Sequence, residues 1–514
     1  MDVFLALLPI LVVLVLLILR RTAADLAGLV GWALTLFIAA IFFNTPLRVS
    51  LNASLAGVVA SFPITLMVAA SILQITLMLE SGAVARIVAL IKTVSPGNQV
   101  VQIMIVNIGA GTLLAALGAT PVSILPPVML ALGYSSFVAI ALPALGYDAL
   151  CTYALLGIPV VVFSNFTGQP VEVVGEYFAR YMPVISTCIA LGMIWIVGGW
   201  KLVRRGWLAA LAAGLTAGFI AIGMNALHMV TLTGVAAGLG VILVMLLYLR
   251  LTKQPLVDRS NLTEADRASE QSMPLWRALS PWLILVAFAA LVNTPILPFF
   301  DLTFNRLALP ITIIPDAPEK TRLFWQAYFW ILVSTLLALP ILRTSRSQIR
   351  VSLKKWSKRA PRPMLASAVF FAIAYILNHS GKGLDWQLTD PANNMVTVVA
   401  ETAAQGLGRL YALAAPFLGL LGGFVSGSEA SAIAMLTKLH LSTAEKIGAL
   451  GLLLAAASGI GAGLASVISP AKLQNASASI DRIGEEGSVL RTTFVVSLVI
   501  TAVCALMTLF WAFS

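Results

Sequence analysis

The sequence predicts an all-α polytopic membrane protein, built as an inverted repeat with two re-entrant helical hairpins and broken helices. Three observations lead there. The 514 residues are 60% hydrophobic and 10% charged, with a mean hydropathy of +0.97, whereas soluble domains carry about 25% charged residues. Many windows hold roughly 18–20 apolar residues, enough to cross a hydrocarbon core about 30 Å thick. Two similar sets of Gly- and Pro-interrupted markers occur, one in each half of the chain.

The candidate spans are 3–20, 24–43, 61–80, 100–117, 136–163, 182–200, 207–227, 230–250, 279–294, 324–342, 363–378, 410–425, 446–468 and 490–513. Two stretches between them, about 118–131 and 427–437, are too short to span. The first apolar run, Val3 to Leu19, ends in Arg20-Arg21 without a small-residue cleavage signal, so it reads as a first membrane helix. Cys151, Cys188 and Cys504 lie in apolar segments without metal spacing, which suggests neither a disulfide framework nor a zinc site.

The net charge of +11 does not point to nucleic acid, because the basic residues collect in short loops between helices. The segment from Arg343 to Arg362 holds eight basic residues and no acid. The positive-inside rule makes it cytoplasmic, and Arg20-Arg21 likewise. The N-terminus and the weakly charged loop around Asn44–Asn52 then fall outside. The stretch from Leu251 to Arg277 mixes signs, with Arg259 and Arg267 against Asp258, Asp266 and Glu270. It reads as a solvated polar linker, 251–277, between an N-terminal half, 1–250, and a C-terminal half, 278–514.

The halves look related. In the first, Leu79-Glu80-Ser81-Gly82 ends a helix, followed by Gly118-Ala119-Thr120-Pro121-Val122-Ser123 and Gly157-Ile158-Pro159. In the second, Leu377-Asn378-His379-Ser380-Gly381 is followed by Gly427-Ser428-Glu429-Ala430-Ser431 and Val467-Ile468-Ser469-Pro470. Gly118 to Pro159 covers 41 positions and Gly427 to Pro470 covers 43. The opening helix of the first set follows an outside loop, and that of the second follows the basic, inside loop. Opposite starting sides make the repeat inverted, a common transporter construction.

Prolines at 121, 126 and 127 would each remove a helix hydrogen bond. In lipid such unpaired groups cost several kcal/mol, so irregular backbone survives only inside protein or beside a water-filled cavity. Hairpins at about 111–131 and 418–437, with tips near Gly118–Ser123 and Ser426–Ser431, satisfy that demand. Helix N-termini at the tips attract anions. Gly118, Thr120, Ser123, Ser426, Gly427, Ser428 and Ser431 are therefore candidate substrate contacts, although small residues also serve plain helix packing. Ser469, Lys472 and Asn475, around the second mid-membrane proline, extend that set. A lysine near a helix end also snorkels to the interface in many proteins.

Charged groups at the centre of a membrane helix cost about 2.5–3.5 kcal/mol even on insertion scales, which makes them functional candidates. Asp148 sits in an otherwise uncharged span and Glu429 at a hairpin tip. Either carboxylate can alternate between charged and neutral forms, as proton coupling requires; a structural ion pair is the bland alternative. Glu80 closes a helix and meets water, His379 reads as an interface residue beside an outside loop, and His228 and His440 form no constellation. Histidine pairs with metal spacing, nucleophile elbows and phosphate loops are missing from the sequence, which argues against an enzyme and against an ATP-driven pump.

At this point the residues resemble a known family. Phe371 to Gly381, Pro416 through Gly427-Ser428-Glu429 to Val467-Ile468-Ser469-Pro470, and Pro121-Val122 with Leu132-Gly133-Tyr134 and Gly157-Ile158-Pro159 are similar, in order and spacing, to segments of bacterial lactate permeases. Gly198-Gly199-Trp200 before Arg204 and Trp207 also fits. The resemblance implies uptake of lactate, and often glycolate, with protons across a bacterial inner membrane. It also implies kinship with the ion-transporter superfamily, with paired re-entrant hairpins and an elevator-like motion. The stretch Leu114 to Val122 lacks the acid usual in that family's first hairpin, and Glu429 stands where the family has aspartate.

The expectation is a proton-coupled symporter of a small monocarboxylate, with Glu429 or Asp148 carrying the proton and no cofactor. The alternatives are another organic anion, sodium coupling, or a passive anion facilitator. The partners expected are a small organic anion and membrane lipid, with a homodimer as the assembly considered and no nucleic acid.

Overall fold

The structure is a computed structural model that describes every residue except 1, 19, 21, 94–97, 258, 261, 295–296, 316 and 483–484. Arg21 and Asp258, named above, lie outside the described residues. Apolar runs become helices here because lipid offers backbone groups no partner other than their own chain. Among the described residues, nine helices are long and apolar enough to cross a membrane, and up to eleven if each of two bent pairs is one span. The bent pairs are Ser136–Asp148 with Cys151–Thr167, at 69°, and Ser280–Asn293 with Pro298–Arg306, at 84°. The described residues form one small sheet, the antiparallel ribbon of Leu309–Ile314 and Ala317–Thr321.

One order of elements occurs twice. Helix Phe62–Glu80 is followed by a short amphipathic helix, Ala83–Lys92, and then by a helix pair that turns at Gly118. After these come the broken helix around Cys151–Tyr153 and a long helix from Val171. Helix Pro361–His379, amphipathic helix Met395–Leu407, a pair turning at Gly427, a helix broken at Ser466–Ile468 and helix Glu486–Trp511 follow the same sequence of types.

Several boundaries differ from the sequence expectation. The spans 182–200 and 207–227 belong to one helical run, Val171–Ala226, interrupted where Gly198 and Gly199 leave helical geometry. The loop expected around Asn44–Asn52 is helical from Leu47 to Ala60. Its small residues allow a close approach to Pro361–His379: a Cβ at Gly57 would lie 2.6 Å from the Phe371 carbonyl oxygen. A 14-residue helix of that kind is too short to register as a span. The second helix pair is also longer than expected, with its return arm running from Glu429 to Ile447.

The polar stretch 251–277 is strapped to the first half. Thr263 and Asp266 form a reciprocal cap on helix Glu264–Ser272. Lys92 pairs with Asp266 at 2.8 Å, and Arg86 with Glu270 at 3.5 Å. The basic segment folds into helix Arg346–Arg359, with Lys355 paired to Glu80 and the Trp356 indole N–H donating to the Ala69 carbonyl at 2.8 Å.

The core around the second break is packed backbone to backbone. A Cβ at Gly419, Gly423 or Gly461 would run into the carbonyl oxygens of Ser458, Ala462 and Pro416 respectively. Glycine is required at these three positions because helices Tyr411–Ser426 and Gly451–Leu464 touch there without side chains between them.

Candidate functional site

Helix Ser136–Asp148 stops at Asp148 and passes through a 3₁₀ turn, Cys151–Tyr153. Leu155, Leu156 and Gly157 then take left-handed backbone conformations, with φ of +54°, +55° and +76°. Left-handed geometry costs a non-glycine residue roughly 1–2 kcal/mol. Two consecutive leucines hold it only because the surroundings over-determine them. Leu156 is buried and Leu155 packs against the first turn. Past Gly157 the helix resumes and runs to Thr167.

The second helix pair turns at Gly427, φ +69°, and Ser428 caps the returning helix by accepting from the Ser431 N–H at 3.4 Å. The Ser426 hydroxyl lies 2.8 Å from the carbonyl oxygens of both Gly422 and Ser428, which closes the turn. Helix Gly451–Leu464 breaks into a 3₁₀ turn, Ser466–Ile468, before helix Pro470–Ala478. The two features meet: a Cβ at Gly427 would lie 4.0 Å from Ser469 Oγ.

Around this meeting point the break after Asp148 completes a buried polar cluster. Thr152 Oγ1 donates to Glu429 Oε1 at 2.7 Å. The Val467 N–H donates to Asp148 Oδ2 at 3.3 Å. Glu429 and Asp148 are only 6% and 4% exposed. Lys472 donates to Ser466 Oγ, and its ammonium sits 4.0 Å from the centre of the Tyr147 ring. Cys151 Sγ lies 3.8 Å from the same Ser466 oxygen. Gly463 makes room for Glu429, since a Cβ there would be 2.8 Å from Glu429 Oε2.

Three oxygens of this cluster, Glu429 Oε2, Asp148 Oδ1 and Ser431 Oγ, are buried with no hydrogen-bond partner among the described residues. A buried polar atom left unsatisfied costs about 1–3 kcal/mol, and more when charged. Both carboxylates lie in the field of Lys472 without an ion pair to it among the described residues, and their unpartnered oxygens have lone pairs able to take a proton or a ligand hydroxyl.

Of the residues expected from sequence, Asp148, Glu429, Lys472, Ser426, Gly427, Ser428, Ser431 and Ser469 line the two breaks and the second turn. Gly118, φ +84°, packs instead against the break of its own half, where a Cβ would lie 2.6 Å from Ser71 Oγ and 3.5 Å from Leu155 Cδ2. Thr120, Ser123 and Asn475 are exposed and make no hydrogen bond to the cluster. Thr120, Ser123, Pro127 and Leu130 form an exposed stripe at helical spacing on Pro121–Ala131, while Val122, Leu125 and Val128 face the core. Sequence reasoning did not single out Tyr147, Thr152, Ser466 or Gly463. Position beside Asp148 and beside Ser469 was the available signal.

Fold and site define a multi-pass membrane protein with a buried ionisable centre at broken helices. The chain belongs to the L-lactate permease family, whose model matches residues 2–513. It is 25% identical over 561 residues to the glycolate permease GlcA of Escherichia coli K12, covering 100% of this chain and 96% of that one. The L-lactate permease of the same strain is 25% identical over 530 residues, covering 94% and 90%. That of Bacillus subtilis is 22% identical over 547 residues, covering 98% and 94%. These relatives are permeases, and this chain is a permease, not an enzyme.

Proposed function

We propose that the protein is a proton-coupled symporter of a small monocarboxylate, such as lactate, glycolate or a related 2-hydroxy acid, in a bacterial inner membrane. The relatives' substrates support the monocarboxylate class. The observation that carries the coupling is the buried Glu429 carboxylate, with one oxygen bound by Thr152 and the other without a partner among the described residues. A proton on that oxygen removes the charge from a low-dielectric site and supplies a donor. Lys472 offers a cation to the substrate carboxylate, and the hydroxyls of Thr152, Ser428, Ser466 and Ser469 suit a 2-hydroxy group. Asp148 serves as second acceptor beside Lys472.

The two runs of matching elements are read as inverted repeats, in halves 1–250 and 278–514, each with a re-entrant hairpin. Helix Phe62–Glu80 ends against the basic helix through Glu80 and Lys355, whereas Pro361–His379 begins from it. Arg362 pairs with Asp25 at 3.5 Å, and the Gly381 N–H donates to Thr45 Oγ1 at 2.8 Å. Helices Ala24–Phe42 and Pro361–His379 therefore run parallel, both starting beside basic segments. This supports a cytoplasmic 343–362 segment and an outside N-terminus.

Purified protein in liposomes, given a panel of monocarboxylates under separately imposed proton and sodium gradients, tests the reading. Accumulation of a 2-hydroxy acid driven by the proton gradient alone is expected. Accumulation driven by sodium alone, or uptake that never exceeds equilibrium, contradicts it.

A further inference from the structure

A cavity lies apart from the carboxylate cluster. It encloses about 780 Å³ between the end of the first broken helix at Ser164–Gly168, the start of the long helix at Pro170 and the β-ribbon. The ribbon leads into helix Ala327–Leu342, whose far end enters the basic helix, so the cavity lies at the end of that helix away from the basic segment.

The charged and titratable groups lining it are Lys320, Arg322, His228, Glu172 and Glu319. Glu319 is engaged by the Tyr375 hydroxyl. Asp301, on the adjoining helix, is held by Asn305 and Arg306. Arg322 is fixed in place: its Nε donates to the Phe304 carbonyl at 3.1 Å, and its guanidinium carbon lies 4.0 Å from the centre of the Phe304 ring. Its terminal nitrogens have no hydrogen-bond or carboxylate partner among the described residues. A half-buried, oriented guanidinium with free donors, beside an exposed lysine, matches a carboxylate.

A pocket of about 20 Å³ shares Asn165, Glu319, Lys320 and Arg322 with this cavity and adds Gln326. A further pocket of about 10 Å³ shares Gln326 and reaches Leu156, Ile158 and Thr231. Leu156 belongs to the left-handed break, and Thr231 Oγ1 is buried with no partner among the described residues. Three separate pockets thus lie from the vestibule to the back of the first broken helix, and Gln326 lines the two small ones.

We infer that this vestibule is an external capture site for the monocarboxylate anion, in which Arg322 and Lys320 hold the carboxylate before it passes Gln326 toward the break. The inference rests on the monocarboxylate-transport reading. A capture site of this kind raises the local anion concentration and is weakened by salt, while leaving the transport step itself unchanged.

The test is concentration-dependent L-lactate uptake by wild-type protein, Arg322→Gln and Lys320→Gln in liposomes under a fixed proton gradient. The expected result is KM about tenfold higher in Arg322→Gln and a few-fold higher in Lys320→Gln, with maximal rates within about twofold of wild type. The salt dependence of KM should flatten in both, and Arg322→Lys should recover part of the loss. Unchanged KM in both glutamine variants overturns the capture site while leaving the transport reading intact. A fall in maximal rate at unchanged KM also overturns it, by showing a structural role for Arg322. Wild-type protein that moves no monocarboxylate refutes the underlying reading instead. The exposed Lys320 variant keeps the test valid should Arg322→Gln fold poorly.

Discussion

Thr152 and Glu429, 277 positions apart, are joined by a 2.7 Å hydrogen bond between a broken helix of the first half and the turn of the second helix pair. The bond orients one carboxylate oxygen and leaves the other, beside Gly463, without a partner among the described residues. It also ties together two elements that belong to different runs of the chain.

Replacing Thr152 by valine keeps the shape and removes the donor. A hydrogen bond to a charged group is worth about 1.5–3 kcal/mol net, equivalent to roughly 10–150-fold. Proton-driven lactate uptake by Thr152→Val should fall by about that factor, while Thr152→Ser retains most of the rate. Initial rates in liposomes measure both, and a Thr152→Val rate equal to wild type removes the bond from the mechanism.

The glycines between helices Tyr411–Ser426 and Gly451–Leu464 set the stability of the second half. Gly461→Val would drive its Cβ into the Pro416 carbonyl. Overpacking of this kind costs about 1–3 kcal/mol. Thermal melting in detergent should show a clearly lowered Tm. A control at Gly406, where a Cβ meets nothing within 4 Å, should show little change.

The clasp between helices Ala83–Lys92 and Glu264–Ser272 depends on pH. Burial opposes ionisation of Asp266, but Lys92 and the N–H and hydroxyl of Thr263 outweigh it and hold the carboxyl below the ordinary aspartate value. A lowered carboxyl contributes stability above its unfolded value, near 4, and loses it as pH falls through the folded value. Hydrogen-exchange protection factors across 264–272 should hold from neutral pH down to about 4 and fall below it. Asp266→Asn should show the lower protection already at pH 7.

Much of this site was legible because charge and proline are conspicuous in apolar sequence. Asp148 and Glu429 stood out on that ground, and the Ser426-Gly427-Ser428 turn through its match to the Gly118–Ser123 cluster of the other half. Thr152, Ser466 and Gly463 did not, since hydroxyl and small residues are common in membrane helices. Their meeting across some 300 positions is a product of tertiary packing. The break itself was half-visible: Gly157 and Pro159 announced it, whereas Leu155 and Leu156 carry no signal for left-handed geometry. Thr120 and Ser123 had the right chemistry for a turn, yet the helical period places them on the face away from the core. Helix Leu47–Ala60 stayed hidden because its small-residue face gave no span-length apolar run.

Glu429 is the residue proposed to carry the coupled proton. Liposomes with an alkaline interior and no sodium gradient, loaded with wild-type protein or Glu429→Gln, test it through L-lactate accumulation and lactate–lactate exchange. Wild-type protein should concentrate lactate above equilibrium, and Glu429→Gln should exchange lactate yet accumulate none. Accumulation by Glu429→Gln to the wild-type level would contradict the account.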